Sequence, residues 1–502
     1  MRQSAWPRIG EFFFVSVFAG CLLIGQRMLN VDSDLGRHLV LGRHMIRSGH
    51  IPDRDILSFT LYGESRPPYA WASQVVFGAA DLLLGLDGVV LVSASVLAGS
   101  YLVAFLDARA RSGKVLGALL LAVVAIAASS MNWLTRPHLF SFLFLAIWLR
   151  LLENLRLGQR GPTWELPLLM LVWANFHGGF VVGFLGWAAY CLGYLWELGH
   201  GTASRDRGAR IMLSGASSLV ASFATPAPGR NWIAVLGNNS PYVLSRTAET
   251  MPLDLGAPSS WPFAAMVFLA LLLAIPRRKK LVAAHVFLLL TLAAAAWAIG
   301  RNTGLFTIAA VPILASWLAS SVAGCATLLR LDLRLSQIEP SGGASAWAWS
   351  AVALATLGLG AQAATSQRSV FSYEQSIFPV GAANWMLENP VAGNMFNDLN
   401  WGGYLLYRMW PEHLVFVDSQ SDFYGERFIR DYADTLAGRG DWEAQLNRYQ
   451  VAWVLIPPGA GLADQLLKDG DWRMAYRDAT AVVFVREPTW FPNTLSGKID
   501  FQ

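Results

Sequence analysis

Long apolar runs alternate with short polar segments over the first 364 residues of the chain. A helix needs roughly twenty apolar residues to span the hydrocarbon core of a bilayer. Eleven runs approach this length, at 11–30, 87–107, 115–133, 138–154, 164–178, 180–198, 210–226, 260–276, 281–300, 303–323 and 346–364. The pattern therefore predicts a polytopic α-helical membrane protein with about eleven transmembrane helices.

From residue 365 onward the pattern changes to short runs of mixed polarity. Strands are predicted at 395–397, 413–417, 451–456 and 481–485, and helices at 379–388, 423–437, 441–449 and 460–469. Such alternation indicates a small α/β domain with a partly parallel sheet. We therefore predict two domains, a transmembrane domain at 1–364 with a large first outer loop at 31–86, and a soluble α/β domain at 365–502.

Basic residues indicate how the chain is oriented, because cytoplasmic loops collect Lys and Arg. The basic segments follow the second, fourth, sixth, eighth and tenth runs, at 107–114, 150–160, 205–210, 277–280 and 330–334. The short apolar stretch 69–85 is separated from the next run by Gly85 and Gly88, which predict an interruption. Counting this stretch as a span would invert the basic loops, so we predict an interfacial or re-entrant helix there. The N-terminus is then cytoplasmic and the C-terminal domain extracytoplasmic, in a bacterial-type inner (plasma) membrane.

The amino-acid composition supports a membrane protein and argues against a nucleic-acid partner. Only 14% of the 502 residues are charged and 54% are hydrophobic, with a mean hydropathy of +0.40. A globular domain carries about 25% charged residues. The net charge of +4 is explained by the cytoplasmic helix ends, so no nucleic-acid partner is expected. The three cysteines lie in apolar runs and indicate no disulfide framework. We expect the first helix to be uncleaved, because no small-x-small cleavage site follows it.

Candidate site residues lie in the predicted outer loops, where ionisable groups near membrane depth are functional candidates. They are Asp32, Asp34 and Arg37, then Arg136 and His138, then Asn175 and His177, then Glu249, and finally Arg301 and Asn302. Each has a structural alternative, such as a polar turn, helix packing or snorkelling to the interface. Together they predict a polar cavity open to the outside. Arginines bind phosphate by paired hydrogen bonds, and a carboxylate acts as general base or holds a divalent cation.

The segment from Asp34 to Gly49, followed by residues 51–60, resembles the first outer loop of GT-C glycosyltransferases. That superfamily includes protein mannosyltransferases, aminoarabinose transferases and oligosaccharyltransferase catalytic subunits. The resemblance implies that Asp34, with Asp32 as the adjacent alternative, is catalytic as a base or metal ligand. It also places Glu249, by loop order, as a second carboxylate, so that Asp34 and Glu249 are possible ligands of Mg²⁺ or Mn²⁺. The second outer loop, 131–138, departs from many relatives because it has no acidic residue.

The run 397–404 in the C-terminal domain is loosely similar to the Trp-Trp-Asp-Tyr-Gly region of oligosaccharyltransferases. The likeness implies that Trp401 and Tyr404 contact substrate, although a glycine-turned helix start packed on the sheet is the alternative. It does not extend to recognition of an acceptor sequon.

The resemblance implies a glycosyltransferase that takes sugar from a polyprenyl-phosphate-linked donor. Its partners are then the donor lipid, the surrounding membrane, and an acceptor glycan, lipid or protein. Two other functions are compatible with the sequence, a transporter or flippase for lipid-linked saccharides and a non-catalytic scaffold with a partner-binding outer domain. A transporter usually shows internal repeats, which are not legible here. Because the second outer loop lacks a carboxylate, a non-catalytic scaffold remains an alternative function.

Overall fold

The computed structural model describes residues 8–159, 163–202, 204–237, 240–244, 251–278, 280–321, 325–338, 347–366 and 369–487. The chain divides into two compact units. The first comprises Met1–Asp53 and Arg66–Ser372, and the second comprises Arg54–Ser65 and Tyr373–Gln502. A short piece of the first predicted outer loop thus belongs to the C-terminal unit, which the sequence did not indicate.

The first unit is helical throughout its regular structure in the described ranges. Its helices are α1 (Ile9–Leu23), α2 (Gly25–Asn30), α3 (Leu35–Ser48), α4 (Trp71–Ser112), α5 (Val115–Ser129), α6 (His138–Arg156), α7 (Glu165–Phe176), α8 (Phe180–Gly199), α9 (Arg205–Ala221), α10 (Arg230–Gly237), α11 (Pro241–Leu244), α12 (Trp261–Ala274), α13 (Ala283–Ala298), α14 (Thr303–Ser321), α15 (Ala326–Ile338) and α16 (Trp347–Ser366). Helix α14 is buried over most of its length and contacts α4, α5, α12 and α13. It forms the centre of this helical unit.

Six helical segments are long and apolar enough to cross a membrane among the described residues. They are Trp71–Ser112, Val115–Asn132, His138–Arg156, Phe180–Gly199, Pro258–Arg277 and Gly300–Ser321. Shorter apolar helices lie at Ile9–Leu23, Glu165–Phe176 and Ala283–Ala298. The chain is therefore a membrane protein, whereas the predicted count of eleven spans is not confirmed.

Helix α4 consists of two helices that meet at Gly85. This residue has φ 61° and ψ −151°, a backbone conformation that only glycine adopts readily. The break separates the 71–84 helix from the 86–112 helix, at the point where the sequence predicted an interruption. Just after it, the carboxylate of Asp87 accepts the backbone N–H groups of Val370 and Phe371 at 3.0 and 2.8 Å.

The second unit contains a four-stranded mixed sheet. Its strands are β1 (Asn394–Asn397), β2 (Val451–Ile456), β3 (Trp472–Arg477) and β4 (Val482–Arg486), in the order β1-β2-β4-β3. Strands β1 and β2 are parallel, and the other pairs are antiparallel. Its helices are α17 (Val380–Glu388), α18 (Gly402–Met409), α19 (Ser421–Leu436), α20 (Trp442–Arg448) and α21 (Gly461–Leu466). The partly parallel sheet was predicted, but β3 was not.

The predicted strand at 413–417 is wrong, because this segment does not join the sheet. Its backbone pairs instead with the loop piece of the second unit, at a single parallel bridge between Val415 and Ser58. Val415 N–H donates to the carbonyl of Leu57, and Phe59 N–H donates to the carbonyl of Val415, both at 3.1 Å. The apolar run correctly indicated a buried extended segment, but its hydrogen-bonding partner comes from a distant part of the chain.

Candidate functional site

Two neighbouring carboxylates lie at the start of α3. Asp34 immediately precedes the helix, and Asp32 Oδ1 accepts the backbone N–H of Asp34 at 2.8 Å. This short-range hydrogen bond fixes the turn between α2 and α3. Asp32 is only 1% exposed, so its negative charge needs a partner inside the protein.

Arg136 supplies that partner from the segment before α6. Its Nε lies 2.9 Å from Asp32 Oδ1, and its Nη2 donates to Asp34 Oδ2. Arg37 Nη2 lies 3.1 Å from the other oxygen of Asp34. One arginine thus bridges both candidate catalytic carboxylates. Removing one member of a buried charge cluster costs about 3–5 kcal/mol, because the remaining charge loses its compensation.

The segment that carries Arg136 is held against the end of α2. Thr135 donates its backbone N–H and its hydroxyl to the carbonyl of Met28, at 3.1 and 3.3 Å. These bonds place two loops that are about one hundred residues apart in sequence at the same point of the helical unit. The first and second predicted outer loops therefore meet within this unit, whereas the polar cavity open to the outside stays a prediction.

Three histidines of the first unit are each held by one ring nitrogen. His138 Nε2 is 2.8 Å from the carbonyl of Asn132. His177 Nδ1 is 2.8 Å from Ser141 Oγ. His38 Nδ1 is 3.0 Å from Gln74 Nε2. The sequence selected His138 and His177, but not His38, although His38 lies one helical turn after Asp34.

Electrostatic interactions connect these groups. Burial and then the positive charge of Arg37 lower the pKa of His38, which also interacts with His177, Arg66 and His138. His177 in turn interacts with His138, Arg301 and Arg136. We call these groups the Asp–Arg–His cluster; its members are Asp32, Asp34, Arg37, His38, Arg66, Arg136, His138, His177 and Arg301. The cluster combines four arginines with two aspartates and three histidines, and arginine side chains bind anions by paired hydrogen bonds.

Asn175 and Asn302 make hydrogen bonds that hold helices together. Asn175 accepts from Trp71 Nε1 at 2.7 Å and donates to the carbonyls of Leu171 and Ala224 at 2.8 and 2.9 Å. Asn302 donates to the carbonyl of Ala295 at 3.0 Å. These contacts match the packing alternative, and substrate contact by either residue stays a prediction.

Trp401 and Tyr404 lie in the second unit, at the junction that leads into α18. Trp401 Nε1 donates to the carbonyl of Ile377 at 2.9 Å, and its side chain is buried. Tyr404 is 1% exposed, and its ring packs edge-on against Tyr373 and at a tilt against Phe378. Both rings therefore contribute to the core of this unit, and their contact with substrate stays a prediction.

The predicted cation site is not assembled by the residues that the structure describes. Glu249, proposed as the second carboxylate, lies outside the described residues. Within the described ranges, no three His, Cys, Asp or Glu side chains are placed to hold a metal ion. Asp32 and Asp34 offer the oxygen ligands that Mg²⁺ prefers, but Arg136 already contacts both. A cation at this position therefore remains a prediction, and no chemical step is derived through it.

Several solved structures resemble this chain. The oligosaccharyltransferase of Archaeoglobus fulgidus in its apo form has a TM-score of 0.60 at 12% identity, over 88% of this chain and 69% of that one. The same enzyme, AglB, in complex with an inhibitory peptide and a dolichol-phosphate has a TM-score of 0.59 at 13% identity, over 96% of this chain and 75% of that one. The chain has a GT-C-like fold.

The predicted resemblance to GT-C glycosyltransferases is thus confirmed at the level of the fold. A weaker likeness is to apo ArnT from Cupriavidus metallidurans, with a TM-score of 0.49 at 13% identity over 94% of this chain and 98% of that one. No protein-family model matches the chain, and no curated protein matches its sequence.

Proposed function

We propose that this protein is a membrane glycosyltransferase that moves a sugar from a polyprenyl-phosphate-linked donor to an acceptor hydroxyl on the outer face of the inner (plasma) membrane. The observation that carries the proposal is Arg136 bridging Asp32 and Asp34. A phosphate group and a carboxylate compete for the same guanidinium, so one residue links donor binding to the state of the candidate base. The GT-C-like fold supports the proposal, since one neighbour of that fold binds a dolichol-phosphate.

In the proposed reaction the donor phosphate binds Arg136 and Arg301. The guanidinium of Arg136 turns toward the phosphate, and Asp34 loses part of the ion pairing that makes it a weak base. The acceptor hydroxyl then attacks C1 of the sugar while its proton passes to Asp34. The bond between C1 and the phosphate oxygen breaks with its electron pair on the phosphate, which leaves as polyprenyl phosphate. Attack opposite the leaving group inverts the configuration at C1.

The remaining predicted residues have supporting roles in this proposal. His138, His177, Asn175, Asn302 and Glu249 would line the donor pocket, and Arg37 would hold the Asp34 carboxylate in position. Trp401 and Tyr404, with the rest of the C-terminal domain, would contribute to acceptor choice. A transporter or a scaffold would use the same fold without donor turnover, so turnover is the property that separates the three functions.

The test is donor turnover by the purified chain in lipid nanodiscs. A panel of polyprenyl-phosphate-linked hexoses and aminoarabinose is supplied with water as the acceptor, and released polyprenyl phosphate is measured, since this product is the same whichever hydroxyl attacks C1. Asp34→Asn is expected to reduce release by at least about 100-fold, the range for loss of a general base. Asp254→Asn is the matched control, because this exposed carboxylate caps a local turn through the N–H of Gly256. Full turnover by Asp34→Asn would overturn the proposal.

A further inference from the structure

The hydrogen bonds around His177 determine which of its ring nitrogens carries the proton. The backbone N–H of Gly179, which can only donate, lies 3.0 Å from Nδ1. Trp173 Nε1 donates to Ser141 Oγ at 2.8 Å, so the Ser141 hydroxyl is free to donate to the same Nδ1 at 2.8 Å. A nitrogen that accepts two hydrogen bonds has no proton of its own. His177 is therefore a neutral ring with its proton on Nε2.

His38 is held in the same form by a different residue. The side-chain nitrogen of Gln74 lies 3.0 Å from Nδ1 of His38. An amide nitrogen only donates, so Nδ1 is the acceptor and Nε2 carries the proton. His38 is 5% exposed, and the positive charges of Arg37 and Arg66 disfavour a second proton on its ring.

Both Nε2–H groups remain available to a ligand. Among the residues that the structure describes, neither Nε2 has a hydrogen-bond partner. The two rings are also linked through their neighbours, because Gln74 follows Ser73, whose hydroxyl donates to the carbonyl of Phe176, the residue before His177, at 2.7 Å. Two N–H donors of one type therefore lie among several arginines, an arrangement that suits the oxygen atoms of an anion.

We propose that His38 and His177 form a pair of neutral Nε2–H donors that bind the oxygens of a lipid-linked phosphate, with Gln74 and Ser141 as the positioning residues that set the tautomer. The phosphate as ligand rests on the proposed function, whereas the tautomer assignment does not. Neutral donors bind the phosphate without adding charge beside Arg136. The competition of the carboxylates and the phosphate for Arg136 is therefore not altered by a charge on either histidine.

The tautomers are tested by nitrogen-15 NMR of the full chain labelled at histidine, in nanodiscs without ligand. The signals of His38 and His177 are assigned by their loss in His38→Gln and His177→Gln. Both are expected to show a neutral ring protonated at Nε2 at about pH 6, close to the ordinary histidine pKa of roughly 6.5. Gln74→Leu is expected to change the signal of His38 but not that of His177. A cationic ring, or protonation at Nδ1, overturns the assignment.

The ligand is tested by binding of undecaprenyl phosphate to the chain in phosphatidylcholine nanodiscs. His38→Ala and His177→Ala are each expected to weaken binding about tenfold or more, as for loss of a hydrogen bond to a charged group. His38→Gln and His177→Gln are expected to retain most of the affinity, because the amide nitrogen of Gln lies near the position of Nε2–H. The control is His285→Ala, a buried histidine bonded to Glu153 at 3.0 Å.

The outcomes separate the two proposals. If the wild-type chain binds undecaprenyl phosphate and both alanine variants bind it equally well, the proposed function survives and the donor pair is overturned. If the wild-type chain does not bind it, the proposed function fails, and phosphate as the ligand of the pair fails with it. If His285→Ala weakens binding as much as the two alanine variants do, their effect is a general loss of folding, and the donor pair is again overturned.

Discussion

The packing of α3 on the 71–84 helix brings two glycines into direct contact. A Cβ atom added at Gly42 would lie 1.9 Å from the carbonyl oxygen of Gln74 and 3.0 Å from the Cα of Gly78. Ordinary van der Waals contact begins at about 3.4 Å. An alanine at position 42 must therefore push the two backbones apart by about 1.5 Å, because neither contact atom is a flexible side-chain end.

That separation has an energetic and a functional consequence. Overpacking costs about 1–3 kcal/mol, and a backbone contact this close belongs at the upper end. The higher helix propensity of Ala than of Gly offsets up to about 1 kcal/mol of this overpacking cost. The net destabilisation is therefore about 2 kcal/mol. Helix α3 also carries Asp34 and His38, and a displacement of about 1 Å at a reacting group reduces a rate by about 100-fold.

The assay compares Gly42→Ala with Gly20→Ala. Gly20 lies inside α1 with no atom within 4 Å of an added Cβ, so its substitution gains helix propensity without a clash. Thermal unfolding in detergent, followed by tryptophan fluorescence, is expected to give an apparent Tm about 2–3 °C lower for Gly42→Ala than for Gly20→Ala. Donor turnover is expected to fall in Gly42→Ala only. Equal Tm values and equal turnover would refute the close glycine contact.

Two further predictions concern the second unit. Asn397 makes four hydrogen bonds with buried backbone groups, whereas Asn394 in the same strand makes one at 2.9 Å. The free energy of unfolding is therefore expected to fall by about 3 kcal/mol or more in Asn397→Ala and by about 1 kcal/mol in Asn394→Ala. Hydrogen exchange of residues 413–417 measures this, and equal protection in both variants would contradict it. Partial burial raises the pKa of Asp478, but hydrogen bonds from the N–H groups of Ala481 and Thr480 and from a tyrosine hydroxyl lower it overall. Its stabilisation of the β3–β4 turn is therefore present above about pH 4 and is lost as pH falls through the folded-state pKa. Hydrogen exchange of this turn should accelerate over that range in wild type but not in Asp478→Asn, and identical pH profiles would contradict the assignment.

The sequence determined the properties that depend on neighbouring residues. Apolar run lengths indicated membrane helices, and the glycines around position 85 indicated the interruption of α4. Alternation of short strands and helices indicated the mixed α/β unit. The acidic residues before α3 were selected because two carboxylates next to a membrane span are costly and so have a specific use.

Only the tertiary structure decided which residues meet. It placed Arg136 between Asp32 and Asp34 and joined the 54–65 loop to the C-terminal unit. It also added His38 to the site, through its hydrogen bond with Gln74 from another helix. Local periodicity predicts that a residue is buried, because burial follows the helix or strand repeat. It does not predict which residue that buried residue contacts, because a contact with a residue more than one hundred positions away depends on the packing of the whole unit.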